Sequence, residues 1–359
     1  MERCIKPIGG EFWFYDGILN NEINNFNNID SMLLNGGQSS LEFILQDIHL
    51  KEHEYILMPS YLCPTILYKF TKKDINVVFY EINEDLSINI NNVKELIERF
   101  NVKALFFIDY FGFYHKEETL TYFKTLKENG IILIEDAVQM LWFNKLNKFI
   151  GDYVFNSYRK FFPCDGSVVL CPNPTKYSIL KDEYYILMAE ARTKKTEYIK
   201  SNIGAEEDFL NKFSEAEEWY YQRETINAMD IESRNYLDHV DYPIVSKQRL
   251  NNYVYLYDKL KNIKEVKILF NKDRLEDNVP LAMPLLINNR DFVRKELRKY
   301  NIYCPIHWDI TQEGFAQKFI KSQEVSKSIL SIPIDWRYDG KDMDCFLEKF
   351  ISILMNNTK

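Results

Sequence analysis

The chain has 359 residues, 46% hydrophobic, 15% aromatic and 27% charged, with a formal net charge of -8. That length suits a large domain plus a smaller one, and the composition excludes an intrinsically disordered chain. The acidic balance argues against a protein built around a nucleic-acid backbone, since such proteins carry an excess of clustered Lys and Arg.

No apolar run reaches the roughly 20 residues that span a bilayer, and the opening MERCIKPIGGEFWFYDG has no basic-then-apolar leader pattern. A cytoplasmic protein without membrane or nucleic-acid partners is expected. Cys4, Cys63, Cys164, Cys171, Cys304 and Cys345 are scattered, with no C-x-x-C and no His at zinc-binding spacing. Reduced thiols, no disulfide framework and no metal are expected.

From about residue 35 to 172, short apolar runs alternate with amphipathic ones, the pattern of βα units feeding a mostly parallel sheet. The runs at 55–58, 76–80, 104–108, 131–134, 153–155 and 168–170 read as strands. Those at 40–48, 92–100 and 117–127 carry apolar residues at helical spacing. Residues 178–235 are highly charged and helical in pattern. After about 240 the sequence predicts a helix bearing Arg249, Tyr253 and Leu256, a strand at 281–287, a helix at 290–300 and a closing helix at 343–354. The expected organisation is a large α/β domain over 1–238 and a small α+β domain over 239–359.

Open parallel sheets bind ligands at the carboxyl ends of their strands, so the polar residues ending strand-like runs are the candidate chemistry. Asn35-Gly36-Gly37-Gln38-Ser39-Ser40 is a glycine turn leading into a helix, suited to a phosphate or to simple capping by Ser39 or Ser40. Glu135-Asp136-Ala137-Val138-Gln139 follows an apolar strand; its carboxylate could hold a pyridinium nitrogen protonated or merely tie up loop amides. In Ser157-Tyr158-Arg159-Lys160 the lysine is either an imine-forming amine or a solvated surface charge.

The order of these segments resembles the DegT/StrS-type aminotransferases over nearly the whole chain. Pro7-Ile8-Gly9-Gly10 resembles that family's N-terminal loop, and Gly37-Gln38-Ser39-Ser40 its phosphate turn. Met58 to Cys63 is similar to the segment that stacks on the cofactor ring, with Tyr61 or Cys63 as the platform; Tyr61 is chemically the better one. Asp109-Tyr110-Phe111-Gly112 is similar to the family's His-Leu-Phe-Gly strand end.

The resemblance implies the α/β fold type I of PLP-dependent transferases, aspartate-aminotransferase-like, with pyridoxal 5'-phosphate as cofactor. It implies that Lys160 carries the Schiff base, Asp136 the pyridine nitrogen, Gln139 the ring hydroxyl, and Ser157 the phosphate together with Gly37, Gln38 and Ser39. By the same resemblance His307, Trp308 and Gly10 lie near substrate, although a lone His beside a Trp also reads as a packed residue. Met229-Asp230 and Arg234 fall where family members approach a partner subunit, and a homodimer is implied.

Two departures separate the chain from the sugar-modifying members. Ser157 and Lys160 are three residues apart, not five, and Asp165-Gly166-Ser167 replaces a Gly-Glu-Gly-Gly run. The implied reaction moves an amino group from an amino acid, glutamate or glutamine, to a keto acceptor such as a nucleotide-linked keto sugar. The alternatives are an acceptor that is not a sugar, or a protein of this fold that binds without turnover. A dehydratase is disfavoured, since members with that activity replace the lysine with histidine.

Overall fold

The computed structural model describes residues 6–20, 31–141, 148–222, 225–276 and 278–357. The strands in chain order are β1 (Ile8–Gly9), β2 (Met32–Leu34), β3 (Tyr55–Pro59), β4 (Asn76–Tyr80), β5 (Val102–Ile108), β6 (Ile132–Asp136), β7 (Tyr153–Phe155), β8 (Ser167–Leu170), β9 (Val266–Ile268), β10 (Met283–Ile287), β11 (Ile302–Tyr303) and β12 (Ile329–Ile332). The helices are α1 (Gly37–Asp47), α2 (Pro64–Lys72), α3 (Ile90–Arg99), α4 (Glu117–Glu128), α5 (Glu183–Ser201), α6 (Glu206–Gln222), α7 (Ile231–Asp238), α8 (Tyr242–Leu260), α9 (Arg290–Arg298), α10 (Ile320–Ser328) and α11 (Gly340–Asn357).

Packing divides the chain into two compact units. One combines residues 1–10, 50–151 and 243–359; the other combines 11–49 and 152–242. In the first, β6, β5, β3 and β4 lie side by side in that order, all parallel. Parallel neighbours need crossover connections, and α2, α3 and α4 supply them. Ile56, Leu57, Met58, Ala104, Leu105, Phe106, Phe107, Leu133 and Ile134 are at most 1% exposed, so these strands are continuously apolar rather than alternating. The chain runs outward from β3 to β4 and returns to β5 on the other side of β3. That reversal of direction puts the carboxyl ends of β3, β5 and β6 where such sheets open a crevice.

The same unit holds the antiparallel sheet β12-β10-β9 and the parallel pair β1 with β11. Arg249, predicted on a helix, is on α8 and buried, its Nε donating to Pro280 O at 2.9 Å.

In the second unit β2 and β7 flank β8, both antiparallel to it. Helices α5 and α6 form a hairpin whose core is Tyr184, Leu187, Met188, Ala191, Phe209, Phe213, Ala216 and Tyr220. The steps of four, three and four between Phe209, Phe213, Ala216 and Tyr220 build one stripe along α6.

Cys63, Cys164, Cys171 and Cys304 are free thiols as expected. Cys345 is disulfide-bonded, which corrects the expectation of wholly reduced cysteines. Spacing along the sequence does not limit which sulfurs meet in space. Cys4 lies outside the described residues. Among the described residues no helix is long and apolar enough to cross a membrane, and no group of three or more His, Cys, Asp or Glu side chains is placed to hold a metal.

Candidate active site

The first unit gathers two of the sequence motifs into one piece. Asp136 ends β6 opposite Ile108 of β5. Its Oδ1 accepts from Val138 N at 2.9 Å and its carbonyl from Asp109 N at 3.1 Å. Successive side chains on a strand point to opposite faces, and Glu135 is used differently: its Oε2 accepts from Ile150 N at 2.9 Å and Gly151 N at 2.8 Å. Both acids thus accept from loop amides, Asp136 from one and Glu135 from two. Asp136 sits at the strand's carboxyl end, 3% exposed.

Gln139 Oε1 accepts from Phe111 N at 2.6 Å, which clamps the short turn Tyr110–Gly112. That turn needs left-handed backbone at Phe111 (φ 57°) and Gly112 (φ 83°). A Cβ on Gly112 would lie 2.6 Å from Gln139 O and 2.9 Å from Val279 O, so only glycine fits. Asp109, fully buried, is pushed well above the usual carboxyl range, first by burial and then by Glu135 and Asp136. Beside it His115 Nε2 meets Ile108 O at 2.9 Å, and burial lowers the imidazole to about 4.

Tyr61 follows β3 and is 0% exposed. Its hydroxyl donates to His307 O at 2.6 Å and accepts from Trp308 N at 2.7 Å, and its ring packs 5.8 Å from Trp308 and 6.0 Å from Tyr110. Tyr61, His307 and Trp308 thus come together, with the imidazole of His307 held by Ser331 Oγ at 2.9 Å from Nδ1. A stacking platform needs a face open to its ligand. Tyr61 has none here, whereas Cys63, at the start of α2, is partly exposed with Sγ 3.1 Å from Thr65 Oγ1. Gly10 is exposed beside β1, and its carbonyl accepts from Arg337 Nη2 at 3.5 Å.

The second unit carries the other motifs. The glycine turn opens α1 with no side-chain cap. Ser39 Oγ donates to Asn35 Oδ1 at 2.5 Å and Ser40 Oγ to Ser167 Oγ at 2.7 Å, so neither serine caps the helix. Gly37 is buried and Gln38 half-buried. The pairing of β7 with β8 continues past the strands through Asn156 N to Val168 O at 3.3 Å and Tyr158 N to Gly166 O at 2.9 Å. Ser157 therefore stands opposite Ser167, and directly opposed residues share a sheet face. Ser167 meets Ser40 on that face, so Ser157 faces the first turn of α1. Its Oγ is buried and has no hydrogen-bond partner among the described residues.

Lys160 ends the short turn Tyr158–Lys160, its N donating to Ser157 O at 3.2 Å. Tyr158 is 1% exposed and anchors the turn. Behind it, Asp165 makes two bonds to Arg192, 2.7 and 3.2 Å, and accepts from Tyr184 Oη at 2.7 Å.

Sequence reasoning assigned nothing to Arg159, Glu217 and Tyr220. The Arg159 guanidinium pairs with Glu217 and lies 4.1 Å over the Tyr220 ring, and Tyr220 Oη accepts from Gln38 N at 3.3 Å. The only sequence signal for the last two was the helical spacing of α6.

No family profile and no curated protein matches the chain. Solved structures do match. TlmJ, an aminotransferase from Streptoalloteichus hindustanus, is 12% identical at a TM-score of 0.67, covering 92% of this chain and 87% of that one. A DegT DnrJ EryC1 StrS aminotransferase from Brucella abortus is 15% identical at 0.60, covering 90% and 85%. NtdA from Bacillus subtilis, solved with the cofactor PMP bound, is 14% identical at 0.63, covering 90% and 73%. The chain has the α/β fold of these proteins, fold type I of the PLP-dependent transferases.

Proposed function

We propose that this chain is a PLP-dependent aminotransferase that takes an amino group from glutamate or glutamine and delivers it to a keto acceptor, a nucleotide-linked keto sugar. The observation that carries the reading is Ser157 Oγ: buried, without a partner among the described residues, and facing the N-terminus of α1. A hydroxyl donor beside the positive end of a helix fits a phosphate monoester such as that of PLP. Asp136, a buried carboxylate ending a parallel strand, fits a pyridinium nitrogen. Two of the solved relatives in this fold are aminotransferases by name, and a third was solved with PMP.

When bound, PLP supplies an electron sink for the charge that develops at the donor's α-carbon. Lys160 Nζ holds the cofactor covalently and, once released, carries the proton that leaves that carbon. The Asp136 carboxylate keeps the ring nitrogen protonated. Gln139 orients the strand-end turn through Phe111 N and would contact the ring hydroxyl. Ser157, with Gly37, Gln38 and Ser39, holds the phosphate. Cys63 would supply the ring contact, while the Tyr61 hydroxyl holds the 307–308 backbone. His307, Trp308 and Gly10 are the substrate-side candidates. The protein acts as a cytoplasmic homodimer, with 1–238 as its large and 239–359 as its small domain along the sequence, a division other than that of the two packed units.

An absorption spectrum of cofactor-loaded protein before and after glutamate tests the reading. The expected result is a visible band that glutamate abolishes and that Lys160→Ala lacks. A band unchanged by glutamate and other amino donors leaves the binding protein without turnover as the reading that stands.

A further inference from the structure

Arg159 immediately precedes the reactive lysine, yet the structure gives its charge to a carboxylate. Glu217 lies on α6 one residue past Ala216 of the apolar stripe, and Tyr220 is on the stripe itself, so the packing of α6 on α5 aims both side chains at Arg159. Tyr220 spans two groups: its ring supports the guanidinium at 4.1 Å and its hydroxyl accepts the Gln38 N-H. Arg159 therefore sits one tyrosine ring from the Gln38 amide in the first turn of α1, the turn that Ser157 faces by strand register, its Oγ without a partner among the described residues. A guanidinium fork matches carboxylate and phosphate oxygens alike.

We propose that Arg159 is a further ligand of the phosphate monoester, and that Glu217 stands in for the phosphate and competes with it for that guanidinium. This rests on the reading above that the start of α1 with Ser157 receives the cofactor's phosphate. Exchange conserves charge pairing: Arg159 leaves one oxyanion for another, and Glu217, 32% exposed at its side chain, passes to solvent. Tyr220 keeps the guanidinium in place throughout. The arrangement lowers affinity for the phosphorylated cofactor while keeping Arg159 paired when no anion is bound.

The test measures dissociation constants of the full-length protein for inorganic phosphate by calorimetry, and for pyridoxal 5'-phosphate and unphosphorylated pyridoxal by absorption. Glu217→Gln should tighten phosphate and pyridoxal 5'-phosphate by roughly tenfold, the worth of a charge-assisted pair, and leave pyridoxal unchanged. Arg159→Met should weaken the same two ligands and not pyridoxal. Glu217→Ala repeats the test should the glutamine variant not fold.

If Glu217→Gln leaves both constants unchanged, or tightens pyridoxal equally, the exchange is wrong even where pyridoxal 5'-phosphate still loads on Lys160. If the wild-type protein takes no pyridoxal 5'-phosphate at all, the aminotransferase reading fails. The inorganic phosphate measurement then still decides whether Glu217 and an anion compete.

Discussion

The Asp165–Arg192 pair gives the sharpest energetic prediction. Both side chains are less than a tenth exposed, at 7% and 8%, and the pair is bidentate, with Tyr184 Oη adding a third bond to the carboxylate. Removing one partner of such a pair leaves an uncompensated buried charge and costs about 3–5 kcal/mol. Since Tyr184 stays as a donor, Arg192→Met should fall at the lower end, about 3 kcal/mol, in urea unfolding at pH 8.

The pH dependence adds a signature. Burial alone raises the Asp165 pKa, but the Arg192 charge and the hydrogen bonds together hold it below the ordinary carboxylate value. A depressed acid contributes stability that is present above its unfolded value and is lost as pH falls through the folded one. In the wild type, Asp165 therefore adds no slope between pH 5 and 8. Without Arg192, burial is opposed only by the Tyr184 hydrogen bond and the more distant Arg159 charge, and the folded value rises. The variant then binds a proton more tightly folded than unfolded, and its stability falls as pH rises. Arg192→Met should be less stable at pH 8 than at pH 5 relative to wild type, and Asp165→Asn with Arg192→Met should recover most of the loss. A cost below about 1 kcal/mol, or a pH profile parallel to wild type, would refute the reasoning.

His115 titrates near 4 against an ordinary value of 6.5, so the folded protein should lose up to about 3 kcal/mol as pH falls from 6.5 to 4. His115→Gln should flatten that part of the stability curve measured by urea titration. Gly112→Ala forces a Cβ against Gln139 O and Val279 O at a positive φ and should cost more than about 2 kcal/mol, seen as a lowered unfolding midpoint; an unchanged midpoint would mean the turn can relax. Ser157→Ala should weaken pyridoxal 5'-phosphate about tenfold and pyridoxal not at all, whereas equal weakening of both would remove Ser157 from the phosphate site.

Much of the fold was legible because its signals are local. The apolar runs at 55–58, 76–80 and 104–108 became β3, β4 and β5; β3 and β5 are apolar throughout because both their faces are buried, and β4, half-buried at the sheet edge, is marked by its β-branched and aromatic residues. The charged stretch after 178 became α5, α6 and α7. Strand direction was not legible: the antiparallel placing of β2 and β7 beside β8 depends on long-range pairing. The brief strands β9 and β12 carry too few residues for a period to emerge.

At the candidate site, the motifs ending strands were visible because chemistry there needs rare residue combinations in order. That the loop at Ile150 and Gly151 folds back on Glu135 was not legible, since nothing in the local pattern of Glu135 to Gln139 points to it. Tyr61 read as a platform from its chemistry, yet its surroundings bury it. Glu217 and Tyr220 reach Arg159 from 58 and 61 residues along the chain, through a helix hairpin that sequence periodicity describes but does not aim.

The central claim is that Lys160 holds the cofactor, and reduction with borohydride followed by peptide mass mapping tests it most directly. Wild-type protein loaded with pyridoxal 5'-phosphate should carry the reduced cofactor's mass on the peptide containing Lys160 and on no other, and Lys160→Ala should carry none. An adduct on a different lysine, or none on the loaded wild-type protein, would contradict the account.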